Sequence, residues 1–289
     1  MGGAKLARDR SSTRNEGPVS IQQQIKDVLA DASGTFGVYA RHLGTDESVD
    51  INASQVLPTE SAAKVFILLY YRRLVESGVC DPALRIELTD DDRYWGTGVL
   101  RYLSAGIRPT LDDLAWLMVI VSDNVATAML LQAIGDQATV NAAMHELGLE
   151  SAQLNPEITV ETAMAGETFA TATPRDLAEA FTFLDDHAKE MLFRQQDQIC
   201  LPRRLPQAAY ASDVDIEMPV RVYNKTGNGP GTCIDSGLFE TATASWVVAA
   251  MASDQTDFAS RADDSAPTAF ARIGELLYDE WGTRGVVDR

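Results

Sequence analysis

Ser61-Ala62-Ala63-Lys64-Val65-Phe66-Ile67-Leu68-Leu69-Tyr70-Tyr71 sets a hydroxyl and an amine one helical turn apart at the head of an apolar run. Side chains three apart on a helix share a face, so Ser61 and Lys64 are expected side by side. A serine hydroxyl is a weak nucleophile until a neighbouring base takes its proton. Lys64 serves as that base only when neutral, and an ordinary lysine keeps its proton up to about pH 10.4. Lowering that value by about three units takes about 4 kcal/mol from burial and nearby positive charge. The plain alternative is a capping serine followed by a solvated lysine.

Two distant stretches weigh against that alternative. Ser122-Asp123-Asn124 follows the apolar run Leu117–Val121 and opens another helical pattern. A tight connection there aims the Ser122 hydroxyl at a cleft, where it can hand a proton to a leaving nitrogen. Asn124 is expected to bond Lys64 and a substrate amide, and Asp123 to brace the loop. Taken alone, the triplet is also a good N-cap cluster. Lys225-Thr226-Gly227 closes a strand that alternates as Val220, Val222 and Asn224. An edge strand binds an extended acyl substrate by main-chain hydrogen bonds. Gly227 is expected to let that substrate come close to the backbone. Lys225 supplies the positive charge that Lys64 needs and, with Thr226, is expected to hold a substrate carboxylate. The N–H groups of Ser61 and Asn228 are expected to form an oxyanion hole, in which one donor typically accounts for about 100- to 1,000-fold in rate.

The order of elements frames these stretches. Helical spacing of Ile21, Ile25, Val28 and Leu29 predicts a helix over Ser20–Ala32, followed by strands at Thr35–Leu43 and Ser48–Ile51. Residues 58–205 read as mainly helical, with the clearest segments at Leu111–Ile120, Asn124–Ile134, Val140–Leu147 and Pro174–Leu184. Strands return at Val220–Lys225, Gly237–Thr243 and Ser245–Ala252, before a last helix over Ala266–Trp281. One antiparallel sheet completed by both ends of the chain is therefore expected. Residues 19–57 and 206–289 would form a discontinuous α/β lobe and 58–205 a helical lobe, with the site in the cleft between them. Residues 1–18 read as a flexible tail.

Composition narrows the partners. The chain has 289 residues and a formal net charge of −18, which opposes binding to nucleic acid. A well-solvated acidic surface and adaptation to high salt both fit that charge. No apolar stretch reaches the length of a membrane span. The first residues lack the apolar core of a secretory signal, so the cytoplasm is expected unless a leader has been removed. Three cysteines without paired spacing and three scattered histidines suggest neither a zinc site nor a disulfide framework. No cofactor or metal is expected, and a monomer is.

Ser61-Ala62-Ala63-Lys64, Ser122-Asp123-Asn124 and Lys225-Thr226-Gly227, in that order, resemble the three signatures of class A β-lactamases and penicillin-binding proteins. Gly96-Thr97-Gly98-Val99-Leu100 and Thr171-Ala172-Thr173-Pro174-Arg175-Asp176 are similar to further stretches of that family. The resemblance runs from about Ser20 to Trp281. It implies an α/β two-lobe, β-lactamase/transpeptidase-like fold: a five-stranded antiparallel sheet flanked by helices, plus a helical lobe. It also implies hydrolysis of small β-lactam amides through an acyl-enzyme, in a family usually secreted or periplasmic. Family members carry an omega-loop glutamate that activates the deacylating water. Glu157, seventeen residues before Pro174, is expected in that role. The match is weaker there, since Glu161 stands where the family has asparagine. An arginine that helps hold the carboxylate in the family also has no clear counterpart, with Arg221 a candidate substitute. A D-Ala-D-Ala peptidase, esterase or biosynthetic acyltransferase on the same scaffold is the alternative enzyme. A β-lactam sensor that stays acylated is the alternative outside catalysis.

Overall fold

The computed structural model describes residues 19–30, 32–156, 166–206 and 218–283. The proposed tail, Glu157 and Glu161 lie outside these residues. Five antiparallel strands form the main sheet: β1 (Thr35–His42), β2 (Ser48–Ile51), β6 (Arg221–Gly229), β7 (Thr232–Glu240) and β8 (Ser245–Ser253). Their spatial order is β2-β1-β8-β7-β6, so the two ends of the chain meet along the β1–β8 pairing, and β6 is an edge.

Strand alternation explains why β8 reads as an unbroken apolar run. Val247, Ala249 and Met251 join one hydrophobic cluster, and Trp246, Val248, Ala250 and Ala252 join another. Successive side chains point to opposite faces of a strand, and here both faces are covered. One cover is α1 (Ile21–Leu29), a short 3₁₀ turn (Leu201–Arg204) and α8 (Ser265–Leu277), which pack against one another. The other is the helical block: α2 (Lys64–Glu76), α3 (Leu111–Ile120), α4 (Asn124–Ile134), α5 (Gln137–Glu146), α6 (Pro174–Glu179) and α7 (Asp186–Phe193). Its core is continuous with the sheet face that carries Tyr223, Ile234 and Leu238.

Local signals set most helix starts. Ser20, Thr110, Asp123, Asp136, Thr173 and Asp185 each accept an N–H of the first turn they precede. The block departs from the sequence expectation in two places. Between α2 and α3 the backbone is mostly irregular, with only one short 3₁₀ turn, Leu100–Tyr102. In addition, β3 (Leu57–Pro58), β4 (Gln153–Leu154) and β5 (Ala170–Ala172) pair as a small sheet in the order β3-β5-β4. Strands of two or three residues are too short to show a period.

β7 also begins five residues before the expected Gly237. Its first half holds the polar residues Thr232, Asp235 and Ser236, all buried, so hydropathy does not reveal it. β6 in turn runs on through Gly227, because β7 pairs with it along its whole length.

His42 is buried at a turn, and its Nδ1 accepts the N–H groups of Gly44 and Thr45, each at 3.1 Å. His187 Nε2 lies 3.0 Å from the Asp112 carboxylate. Cys80, Cys200 and Cys233 are all free thiols.

Two phenylalanines give a test of this layering. Phe270 on α8 is fully buried and meets Phe36 of β1 edge-to-face, while Phe258 is 70% exposed. Phe270→Ala is expected to lower unfolding free energy by about 3–5 kcal/mol. Phe258→Ala should change it by less than about 0.5 kcal/mol. Urea denaturation of both variants checks the pair.

Candidate active site

The first turn after β3 is a 3₁₀ turn, Glu60–Ala63, and Lys64 opens the α-helix behind it. Side chains three apart eclipse in 3₁₀ geometry, so Ser61 stands over Lys64. Glu60 adopts φ +46°, and Ser122, at the end of α3, adopts φ +54°. Both are non-glycine residues in the left-handed region, a cost that persists where the surroundings over-determine it. The two kinks flank one cleft of about 810 Å³, lined by Ser61, Lys64, Ser122, Asn124, Thr226 and Asn228 among others.

Lys64 is 2% exposed. Its Nζ lies 2.7 Å from Asn124 Oδ1, 2.8 Å from Ser122 O and 3.1 Å from Ser122 Oγ. Burial, then the charge of Lys225, pulls its pKa well below the ordinary lysine range, against a smaller pull upward from Asp123. A neutral amine has two N–H groups and one lone pair. The two carbonyl oxygens here match those N–H groups, which leaves the lone pair for a hydroxyl. Lys225 is fully buried and donates to Ser122 Oγ at 3.1 Å and to Thr226 O at 2.7 Å. Burial lowers its pKa to about 8, although Asp197 and Asp235 act in the other direction. Ser122 Oγ therefore bridges the two amines.

Asp123 holds this arrangement together from beneath. It is fully buried, caps α4 through Ala126 N, and accepts Val99 N at 2.6 Å and Leu100 N at 2.8 Å. Thr97 adds a bond from its hydroxyl to Ser122 O. Gly96 and Gly98, at φ +103° and +114°, let the loop pass so close that an added Cβ would overlap Asn124 and Asp123.

A model of the β-lactamase enzyme family matches residues 20–281. The chain belongs to the β-lactamase enzyme family. A carbapenem-hydrolyzing β-lactamase, KPC, from Klebsiella oxytoca is 28% identical over 163 residues, 55% of this chain and 55% of that protein. β-Lactamase CARB-3 from Pseudomonas aeruginosa is 24% identical, over 57% of each. The matches thus span little more than half the length of these curated relatives. The solved structure of a β-lactamase from Sphaerobacter thermophilus superimposes with a TM-score of 0.76 at 24% identity, covering 90% of this chain and 96% of that one. PBP-A gives the same TM-score at 23% identity, covering 96% and 98%. These neighbours share the two-layered fold.

Among the described residues, the structure brings the sequence-selected ones together at this β-lactamase-family site, and Glu157 lies outside them. Gly227 differs from expectation in what it admits. An added Cβ there would lie 2.4 Å from Thr59 O, 2.7 Å from Ala62 N and 3.0 Å from Ser61 N. The backbone it lets close is the Glu60–Ala63 turn itself. Asn228 is exposed at the mouth. Arg221 stacks on the Phe193 ring at 4.7 Å, at the far end of β6 from Gly227, so it does not replace the absent arginine.

Among the acids that line the cleft beyond the motifs, Glu60 and Asp197 each accept a threonine hydroxyl. Glu60 Oε1 accepts the Thr168 hydroxyl at 2.9 Å, and burial raises the pKa of this carboxyl. Its place directly before Ser61 was a signal readable in the chain. Asp197 Oδ2 accepts the Thr226 hydroxyl at 3.0 Å. Nothing local in Gln195-Gln196-Asp197-Gln198 marks it.

The Lys225–Lys64 repulsion gives a signed expectation. Lys225→Ala removes a positive charge, so the pKa of Lys64 rises and less of it is neutral at pH 7. Acylation kcat/KM should fall at least about tenfold at pH 7, with its acid limb moved to higher pH. Lys225→Arg should retain the position of that limb. Pre-steady-state acylation across pH 5–10 checks both.

Proposed function

We propose that this protein is a serine hydrolase that opens β-lactam amides through an acyl-enzyme on Ser61. The observation that carries the reading is the buried Lys64, bonded to Ser122 and Asn124 and held towards its neutral form. Solvated lysines do not behave so, and an amine with a free lone pair is the base that Ser61 requires.

The Ser61 hydroxyl passes its proton to Lys64 Nζ as Oγ attacks the lactam carbonyl. The N–H groups of Ser61 and Asn228 receive the developing oxyanion. The tetrahedral adduct collapses by breaking the C–N bond. The leaving nitrogen takes the Ser122 proton, which Lys64 restores. Lys225 adds positive potential beside Ser122, and β6, as the sheet edge, offers main-chain bonds to an extended acyl group. In the second half, Glu157 takes a proton from water as the water oxygen attacks the ester carbonyl. The adduct collapses by breaking the bond to Ser61 Oγ, which regains that proton.

Family membership supports β-lactam hydrolysis as the reaction. KPC, by its name, hydrolyses carbapenems, and a PBP-A mutant of the same fold is an acyl-enzyme complex with penicillin G. A second reading, acyl transfer from another amide or ester on the same scaffold, is favoured by Asp197 on the Thr226 hydroxyl. The two readings differ in turnover. Sustained hydrolysis of a chromogenic cephalosporin supports the first, and a single burst supports the second.

Ser61→Ala should abolish covalent labelling by penicillin probes while the fold stays intact. Stoichiometric labelling of that variant, read by intact mass, would overturn Ser61 as nucleophile. Glu157→Gln should still acylate but accumulate the adduct. If it turns over like the parent while Glu161→Gln stalls, the deacylating base is Glu161.

A further inference from the structure

We propose that Asp197 makes the Thr226 end of the cleft select acyl donors bearing an N–H or ammonium group where β-lactams bear their carboxylate. The inference rests on Ser61 as the acylated residue and concerns only what lies beyond the scissile bond.

A threonine hydroxyl has one hydrogen and two lone pairs. In this structure that hydrogen is donated to Asp197 Oδ2 at 3.0 Å. What Thr226 turns towards a ligand is therefore an acceptor, whereas a carboxylate needs a donor. Lys225 does not restore the balance. It is fully buried, and two of its N–H groups go to Ser122 Oγ and Thr226 O.

Asp197 is fixed rather than swinging. Its own N–H donates to Gln195 Oε1 at 3.1 Å, its Oδ1 accepts Ile199 N at 3.4 Å, and Gln195 is itself buried and bonded to Val119 O. The carboxylate is half-buried on the cleft wall. Its Oδ2 keeps acceptor capacity after taking the Thr226 proton. Two adjacent acceptors, Thr226 Oγ1 and Asp197 Oδ2, match a primary carboxamide or an ammonium.

The rest of the wall agrees in sign. Glu60, Asp91, Asp92 and Asp136 line the same cleft, against Lys64 and Arg93. Arg221, the one guanidinium on β6, is stacked on Phe193. A carboxylate entering at Thr226 meets a like charge in a confined space, and a donor group meets its complement.

The test uses one cephalosporin in two forms, the free ring acid and its primary carboxamide. Acylation of Ser61 is timed by intact mass, with the Ser61→Ala variant as the blank. The wild-type protein should acylate at least about tenfold faster with the carboxamide than with the acid. Asp197→Asn, nearly isosteric, and Asp197→Thr should each shift that ratio towards the acid by about tenfold or more. Faster acylation by the acid in the wild type would overturn the proposal. So would equal changes in both rates on substitution at Asp197. A neutral fluorophosphonate, which carries neither group, reports the nucleophile separately. If it and both cephalosporins leave Ser61 unlabelled, the Ser61 reading fails and this one with it.

Discussion

Lys64 and Lys225 both reach Ser122 Oγ, and each is at most 2% exposed. Placing two amines out of water beside each other is costly unless at least one gives up its proton. Most features of the site reduce that cost or use it. Ser122 Oγ sits between the amines, Asn124 takes one N–H of Lys64, and Thr226 O takes one of Lys225. Because both pKa values are lowered by folding, the unfolded chain binds more protons over the range up to about pH 10.4. The pair therefore costs stability at neutral pH, and the cost shrinks as pH rises towards the alkaline end. The helical core and the two-faced sheet carry this burden. The same burial and charge hold the Lys64 amine well below the ordinary lysine range.

Two kinks and one carboxylate give the pocket its shape. The left-handed backbone at Glu60 and Ser122 turns the chain where a side chain must enter the cleft. Neither kink would hold on local preference. Ser122 is followed by Asp123, whose oxygens tie together α4 and the backbone of residues 99–100. The Glu60–Ala63 turn is pressed against Gly227 on the edge strand. The geometry of the cleft thus depends on joints between three segments that are far apart in the chain.

Beneath the edge strand lies a second polar layer. Asp235, opposite Thr226 in register, is fully buried, and burial raises its pKa to about 8. It accepts Asn224 Nδ2 at 2.9 Å and Leu201 N at 3.0 Å, which links β6 and β7 to the 3₁₀ turn beside α8. Strand alternation puts Tyr223 and Lys225 towards the helical block, and Asn224 and Thr226 towards the opposite face. Thr226 still lines the cleft, because β6 is the edge of the sheet.

The chain alone specified the helices whose starts are capped and whose apolar faces repeat. α3 and α4 fall at the residues that periodicity assigns, because capping and period are local properties. It also singled out Ser61, Lys64, Ser122 and Lys225, which the fold brings to one place, since each stands in a short motif whose residue types have few other uses together. It did not specify the small sheet of β3, β4 and β5, or the early start of β7, where buried polar residues hide the strand. Nor did it reveal Asp197 on Thr226 or the Glu60–Ala63 turn against Gly227. Those contacts join residues from 29 to more than 160 positions apart. Only packing of the two layers brings them within hydrogen-bond or van der Waals distance, and no local pattern in the sequence encodes that approach.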